Sequence, residues 1–411
     1  MTTTDNAMMA RREVAEATNR VISIDIFRGL TIAVMIFVNA LAEVKGLPWW
    51  TYHALAHVDA MTYVDMVFPF FLFIIGMSLP LSVNQRLKRN PSMAALWLHV
   101  ALRSLSLIVL GLILANAEKA DAARMGISGS VWALIALICA ALSLNVYPRW
   151  ERHPQYSSIL KIVGLAGVVV MFAIFRRTTP DGHVAWIDFS YPEILGLIGC
   201  SYFAACLLFI PTRRWRWAPL AWFILLTAFC AACTAKAITL PSHVPIYFWP
   251  FGNGAMGSMI MGGVVISYLF LKIGTFPKID RPITLAIAFA ALSLIAGMLL
   301  TPLGISKIRA TPTWCLYSVA AATLIFALLY WICDIRRWTR WAFLLRPAGA
   351  NTLLTYLLPD LWYFLLVTLG ITYLDTHLSL GWPAVVKTLL FTVFMLILAA
   401  GLTKARLRLQ L

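Results

Sequence analysis

Two histidines and two aspartates fall within thirteen residues, running from His53 through His57 and Asp59 to Asp65, in a chain of which only 12% is charged. An imidazole titrates near neutral pH, so it can take a proton from an amine or a hydroxyl group. A carboxylate beside it fixes its tautomer and raises its basicity. Asp65 stands at the mouth of a long apolar run and needs a partner, whether His53, His57 or a distant cation. Histidine and aspartate also bind metals, but this spacing matches no familiar zinc pattern, and no metal is expected. The bland alternative is a set of polar residues sitting at a loop.

Other polar residues interrupt apolar runs. Lys307 and Arg309 lie in Gly304-Ile305-Ser306-Lys307-Ile308-Arg309-Ala310-Thr311-Pro312-Thr313-Trp314. They could pair with Asp65 or Asp59, or hold a phosphate or sugar acid. Asp25 and Arg28 are three apart, on one helix face, so they can pair with each other. Otherwise Arg28 holds an anionic ligand group from the cytoplasmic side. Gly252-Asn253-Gly254-Ala255-Met256-Gly257 has dinucleotide-type glycine spacing, but no strand precedes it, so close helix packing explains it better. Asn39 ends the first apolar run and Asn351 starts a late one; Asp360 follows Pro359 inside that run. Cys230 and Cys233 have a redox spacing without a βαβ context and read as small packing residues.

The elements that must hold these groups follow from composition. The chain has 411 residues, 61% of them hydrophobic. Soluble domains carry about a quarter charged residues, so a soluble enzyme, a disordered chain and a disulfide-stapled domain are all excluded. The apolar runs are long and unbroken, which excludes an outer-membrane barrel. We expect an all-α fold, a polytopic transmembrane helical bundle of 11–12 spanning helices. The runs read are 22–44, 63–83, 95–117, 128–147, 158–175, 190–211, 216–235, 254–275, 283–301, 313–334, 349–370 and 383–403. Residues 1–20 read as a cytoplasmic tail without a cleaved signal peptide, and 21–411 as one integral-membrane domain. The net charge of +16 is topological, with no nucleic acid partner expected. Most basic residues, Lys272 and Lys278 among them, fall on one side when both termini are placed in the cytoplasm. Trp49, Trp50, Trp150, Trp215, Trp249 and Trp382 sit at run ends, as in an aromatic belt.

Four stretches carry a resemblance. They are Ser23-Ile24-Asp25-Ile26-Phe27-Arg28-Gly29-Leu30-Thr31; Met61-Thr62-Tyr63-Val64-Asp65-Met66-Val67-Phe68-Pro69-Phe70-Phe71-Leu72-Phe73; Ser306-Lys307 with Thr311-Pro312-Thr313-Trp314; and Ala348-Gly349-Ala350-Asn351-Thr352. Together they resemble the heparan-alpha-glucosaminide N-acetyltransferase family, in particular its shorter bacterial relatives associated with N-acetylglucosamine use. The resemblance implies a helical membrane enzyme that moves an acetyl group from acetyl-CoA to the amino group of a glucosamine-type sugar or glycan. It implies an active-site histidine in the first non-cytoplasmic loop, in a His-Ala setting ahead of Thr-x-x-Asp. That residue is His53, followed by Ala54, with His57 in the gap as the other candidate.

On this reading His53 is general base or acyl carrier, Asp65 orients it, and Lys307 stabilises an oxyanion. Asn39, Arg28, His57, Arg309, Asn351 and Asn253 would contact substrate or donor. The expected setting is a bacterial inner membrane, multi-pass, with the lipid bilayer as partner and a homodimer allowed. The competing reading is a transporter or permease for an amino sugar or related glycan, and a third is a structural or accessory membrane protein.

Overall fold

The computed structural model describes residues 21–147, 155–240, 252–271, 280–371, 373 and 378–409. The expected tail 1–20, together with Trp150, Trp249, Lys272 and Lys278, lies outside the described residues. Twelve helices of at least 16 residues appear among the described ones, each on one of the apolar runs. They are α1 (Ile22–Leu41), α2 (Val67–Arg89), α3 (Met93–Ala117), α4 (Gly129–Leu144), α5 (Gln155–Ile174), α6 (Glu193–Thr212), α7 (Ala218–Thr234), α8 (Ala255–Phe270), α9 (Pro282–Leu299), α10 (Pro312–Tyr330), α11 (Thr352–Thr368) and α12 (Gly381–Lys404).

Among the described residues, eight helical segments are long and apolar enough to cross a bilayer; α4, α7, α8 and α11 are shorter. A helix of 16 or 17 residues spans about 25 Å at 1.5 Å per residue, a little under the hydrocarbon thickness. The only strands described are a two-residue pair, Arg177–Thr178 against Val184–Ala185. The protein is thus an all-α polytopic membrane bundle.

Its surface says the same. Ile162 and Leu165 on α5, Leu292 and Leu299 on α9, and Leu389 and Leu390 on α12 are all exposed. Water would not tolerate such a continuous apolar belt, whereas lipid would. Trp49, Trp50, Trp215 and Trp382 are exposed near helix ends, where an indole meets the interface. Inside, several buried hydroxyls turn back onto their own helix: Thr31 Oγ1 donates to the Phe27 carbonyl, and Ser201 Oγ to the Leu197 carbonyl. Polar groups satisfied within a helix need nothing from lipid.

Glycines let the helices close up. A Cβ on Gly76 of α2 would lie 1.8 Å from the Ile260 carbonyl oxygen, and one on Gly263 of α8 would lie 1.9 Å from that of Phe73. Backbones that near exclude any side chain between them. The same happens between α1 and a short helix, Leu345–Ala350: Gly29 faces the Leu345 carbonyl and Gly349 faces the Asp25 carbonyl. The first and last of the four resemblance stretches therefore interlock. Asp334, just past α10, accepts from the Ile22 and Ser23 amides at 3.2 and 3.1 Å and so caps α1 from a distance.

Candidate active site

The loop after α1 is folded back by its own side chains. Tyr52 Oη donates to the Val44 carbonyl at 2.6 Å, and Thr62 Oγ1 donates to the Tyr52 carbonyl at 2.8 Å. This brings His53 onto the single helical turn, Tyr63–Met66, that precedes α2. His53 Nδ1 lies 2.7 Å from Asp65 Oδ1. The other carboxylate oxygen accepts from the backbone amides of Thr62 at 3.0 Å and Ala54 at 3.2 Å. Asp65 keeps 1% of its side chain exposed and His53 keeps 43%, so the carboxylate is locked while the imidazole stays reachable. A carboxylate only accepts, so Nδ1 carries the proton on that side. Nε2 is left as the basic nitrogen.

Lys307 comes from the loop before α10. Ser306 and Thr311 close that loop: the Ser306 amide donates to Thr311 Oγ1 at 3.0 Å, and the Thr311 amide donates to the Ser306 carbonyl at 3.1 Å. Pro312 starts the helix, as suits a residue without an amide proton. Trp314 Nε1 donates to the Asp65 carbonyl at 3.0 Å, pinning the loop to the aspartate. Lys307 Nζ then sits 3.4 Å from His53 Nδ1 and 3.5 Å from Nε2. With Nδ1 donating to Asp65, only Nε2 can accept from the Lys307 ammonium, and at 3.5 Å that bond is long enough for a substrate group to replace it. Burial pulls the Lys307 pKa below its ordinary 10.5, while Asp65 and Glu193 pull it back up.

Beside this cluster, Arg309 Nη2 contacts Asp59 Oδ1, and the Ile305 amide also donates to that oxygen. Arg309 holds the Asp59 carboxyl below its usual range. Gly304 permits this pairing: its φ is +84°, and a Cβ there would lie 2.6 Å from Asp59 Oδ1. Arg309 thus joins Asp59, the alternative read from sequence, and ties the two loops together. Asn253 does similar work. Its Nδ2 donates to the Ala310 carbonyl at 2.9 Å, and its Oδ1 accepts from the Ala255 amide at 3.1 Å. The glycine run around it serves packing: Gly254 faces the Leu226 carbonyl.

None of the remaining candidates is bonded to His53 among the described residues. His57 is exposed and makes no hydrogen bond or ion pair among the described residues. Asn39 is exposed at the end of α1 and makes no side-chain hydrogen bond among the described residues. Arg28 pairs with Asp25 at 3.4 Å and donates to the Gly349 carbonyl and Ser78 Oγ at 3.2 and 2.8 Å. Asn351 gives Nδ2 to Thr403 Oγ1 at 3.0 Å and to the Leu407 carbonyl at 2.7 Å; its Oδ1 takes the Leu409 amide at 3.2 Å. It fastens the C-terminal segment. Among the described residues no group of three or more His, Cys, Asp and Glu could hold a metal.

Sequence reasoning passed over Glu193. This first residue of α6 lies within electrostatic reach of Lys307. Its Oε2 accepts from Tyr356 Oη at 3.3 Å and from the Leu195 amide at 3.1 Å. Asp360 of α11 is within reach of both Glu193 and Tyr356. Glu193 also has φ +56°, a left-handed conformation that an L-residue holds only where its surroundings enforce it. The signal was available, since Glu193 is the one acid in the run 190–211, and ionisable groups at that depth point to function.

A family model described as "Domain of unknown function (DUF5009)" matches residues 20–251. The heparan-alpha-glucosaminide N-acetyltransferase of Homo sapiens is 39% identical over 97 residues, covering 24% of this chain and 14% of that protein. The enzyme of the same name from Mus musculus is 38% identical over 98 residues, with the same two shares. The match therefore spans only a small part of these relatives' length.

Proposed function

The chain belongs to the DUF5009 family, and from that premise we propose that it is a membrane-embedded acetyltransferase. The donor is acetyl-CoA and the acceptor is the amino group of a glucosamine-type sugar or glycan. The partial likeness to two enzymes named heparan-alpha-glucosaminide N-acetyltransferase supports the reaction class. The observation that carries the reading is the cluster itself: a reachable imidazole, 2.7 Å from a locked carboxylate and 3.4 Å from a half-buried ammonium.

A glucosamine ammonium is no nucleophile until it loses a proton. His53 Nε2 takes that proton, and Asp65 balances the imidazolium that forms. The amine nitrogen then bonds to the thioester carbonyl carbon, whose oxygen becomes an oxyanion beside Lys307 Nζ. When the intermediate collapses, the carbon–sulfur bond breaks, the leaving thiolate takes the proton held by the imidazolium, and the new amide nitrogen releases its remaining extra proton to solvent. A two-step route through an acetyl-imidazole would use the same three residues. In this reading the His53 end faces away from the cytoplasm of a bacterial inner membrane, and both termini lie on the cytoplasmic side.

The intramembrane acids Glu193 and Asp360 favour a second reading, a proton-coupled carrier for an amino sugar. One experiment separates the two. Purified protein is given acetyl-labelled acetyl-CoA and glucosamine, and in parallel is placed in proteoliposomes with labelled glucosamine outside. N-acetylglucosamine formed only when donor is present supports the enzyme. Uptake of unmodified glucosamine without donor contradicts it.

A further inference from the structure

On the half of the bundle away from His53, a half-buried guanidinium makes no hydrogen bond among the described residues. Arg103 lies near the middle of α3, and side chains on a helix lean toward its N-terminus, here toward His99 and Ser92. Its guanidinium stacks 4.6 Å from the centroid of the Tyr202 ring on α6, and Tyr202 is 3% exposed. Among the described residues Arg103 makes no hydrogen bond, and its Nε is buried without a partner. Stacking satisfies the face of a guanidinium but leaves its five N–H edges open.

The neighbours deepen the imbalance. Arg86 of α2 and His99 of α3 lie within electrostatic reach of Arg103, and Arg86 of Arg89 as well. No ion pair among the described residues reaches Arg103, Arg86 or His99. Two arginines thus share one corner of the bundle with His99, and no carboxylate among the described residues pairs with them. Charged groups at membrane depth persist when they meet a partner, and a buried polar atom without one points to a missing ion or water. A groove enclosing about 270 Å³ opens there, lined by Ser82, Gln85, Arg86, Arg89 and Asn90 with Ala95 and Leu96. Arg86 belongs to both the groove and the cluster.

We infer that Arg103, Arg86 and His99 form a binding site for a phosphate-bearing anion that enters through this groove. A phosphate group carries one negative charge as a diester and up to two as a monoester, on oxygens that only accept hydrogen bonds. Guanidinium edges match those oxygens in pairs. Two sources share this chemistry. One is the headgroup of an anionic phospholipid in the adjacent leaflet. The other is the nucleotide end of the acyl donor, a choice that rests on the acetyltransferase reading.

The test uses the full chain in neutral phosphatidylcholine nanodiscs, as wild type, Arg103→Gln, Arg86→Gln and Arg103→Lys. Coenzyme A is titrated and followed by thermal shift. In a second arm, phosphatidylglycerol replaces part of the lipid and the retained lipid is read by native mass spectrometry. Acetyl transfer is assayed on the same samples. The site predicts that at least one probe binds wild type about tenfold or more tighter than Arg103→Gln and Arg86→Gln, a loss of the size expected for a charge-assisted contact. Arg103→Lys recovers part of it. Coenzyme A dependence identifies the donor as source, and phosphatidylglycerol dependence identifies lipid. If Arg103→Gln does not fold, Arg86→Gln and Arg103→Lys decide alone. Anion binding by a wild type that transfers no acetyl group leaves the site standing and removes the enzyme reading. Equal binding of both probes by wild type and the Gln variants overturns the site, whatever the activity.

Discussion

The four stretches that carried the resemblance pair off in space, and the two pairs behave differently. Near the N-terminus of α1, Asp25-x-x-Arg28-Gly29 meets Ala348-Gly349-Ala350-Asn351. There Arg28 is taken up by Asp25, Ser78 and the Gly349 carbonyl, and Asn351 by the C-terminal segment. At the opposite end, the Asp65 turn meets the Lys307 loop through Trp314 and His53. Here the backbone and the carboxylate are spent, while among the described residues His53 Nε2 and the Lys307 ammonium have only one long contact, with each other, at 3.5 Å. The first pair is a latch and the second has chemistry left over. Residue type does not separate a latch from a site; a count of what remains after every hydrogen bond is assigned does.

Variants sharpen this contrast, and the largest effect belongs to His53. His53→Ala should lower acetyl transfer by about 10²–10⁴-fold, the usual worth of a positioned base, with helical circular dichroism unchanged. Lys307→Met comes next, with a loss of about 10²–10³-fold in kcat as for an oxyanion donor. Because burial depresses its pKa, the charged form of Lys307 disappears as pH rises past a point below 10.5. The alkaline fall in kcat should therefore begin below that value, and Lys307→Arg should remove it. Glu193→Gln takes away one of the two anions that support the Lys307 charge, so it should move that alkaline limb to lower pH. An unchanged limb would remove Glu193 from the site.

On the latch side the readout is stability. Asn351→Ala forfeits three hydrogen bonds and should cost about 1–3 kcal/mol by thermal or chemical unfolding in detergent, while the rate per folded molecule stays the same. A loss of rate without a loss of stability would make the latch part of the site. The smallest effect is expected at His57, which is exposed and unpartnered among the described residues. His57→Ala should leave rate and stability alike.

The fold was legible because lipid imposes one rule, that backbone polar groups be satisfied within a helix. Long apolar runs then have one outcome, and every run expected became a helix. Their ends were less legible. The run 349–370 breaks at Asn351, where the short helix Leu345–Ala350 stops and α11 begins. That break is set by packing against α1 through Gly29 and Gly349, a contact between segments some 320 residues apart. Asp65 and Lys307 were legible as charges in the wrong solvent. Asn351 and Arg28 carried the same signal for a different reason, and only their partners reveal it. Glu193 was missed because it opens an otherwise apolar run, where a lone acid looks like an ordinary helix start. Tyr356 gave no signal of its own, since a tyrosine in an apolar helix is ordinary until its hydroxyl is seen on a carboxylate.

The central claim is that the imidazole seated on Asp65 performs the chemistry. Its most direct test is acetyl transfer from acetyl-CoA to glucosamine, measured side by side for wild type, His53→Ala and His57→Ala in one detergent at one pH. The account predicts product from wild type and His57→Ala at equal rates and almost none from His53→Ala. Full activity in His53→Ala, or its loss in His57→Ala alone, would contradict it.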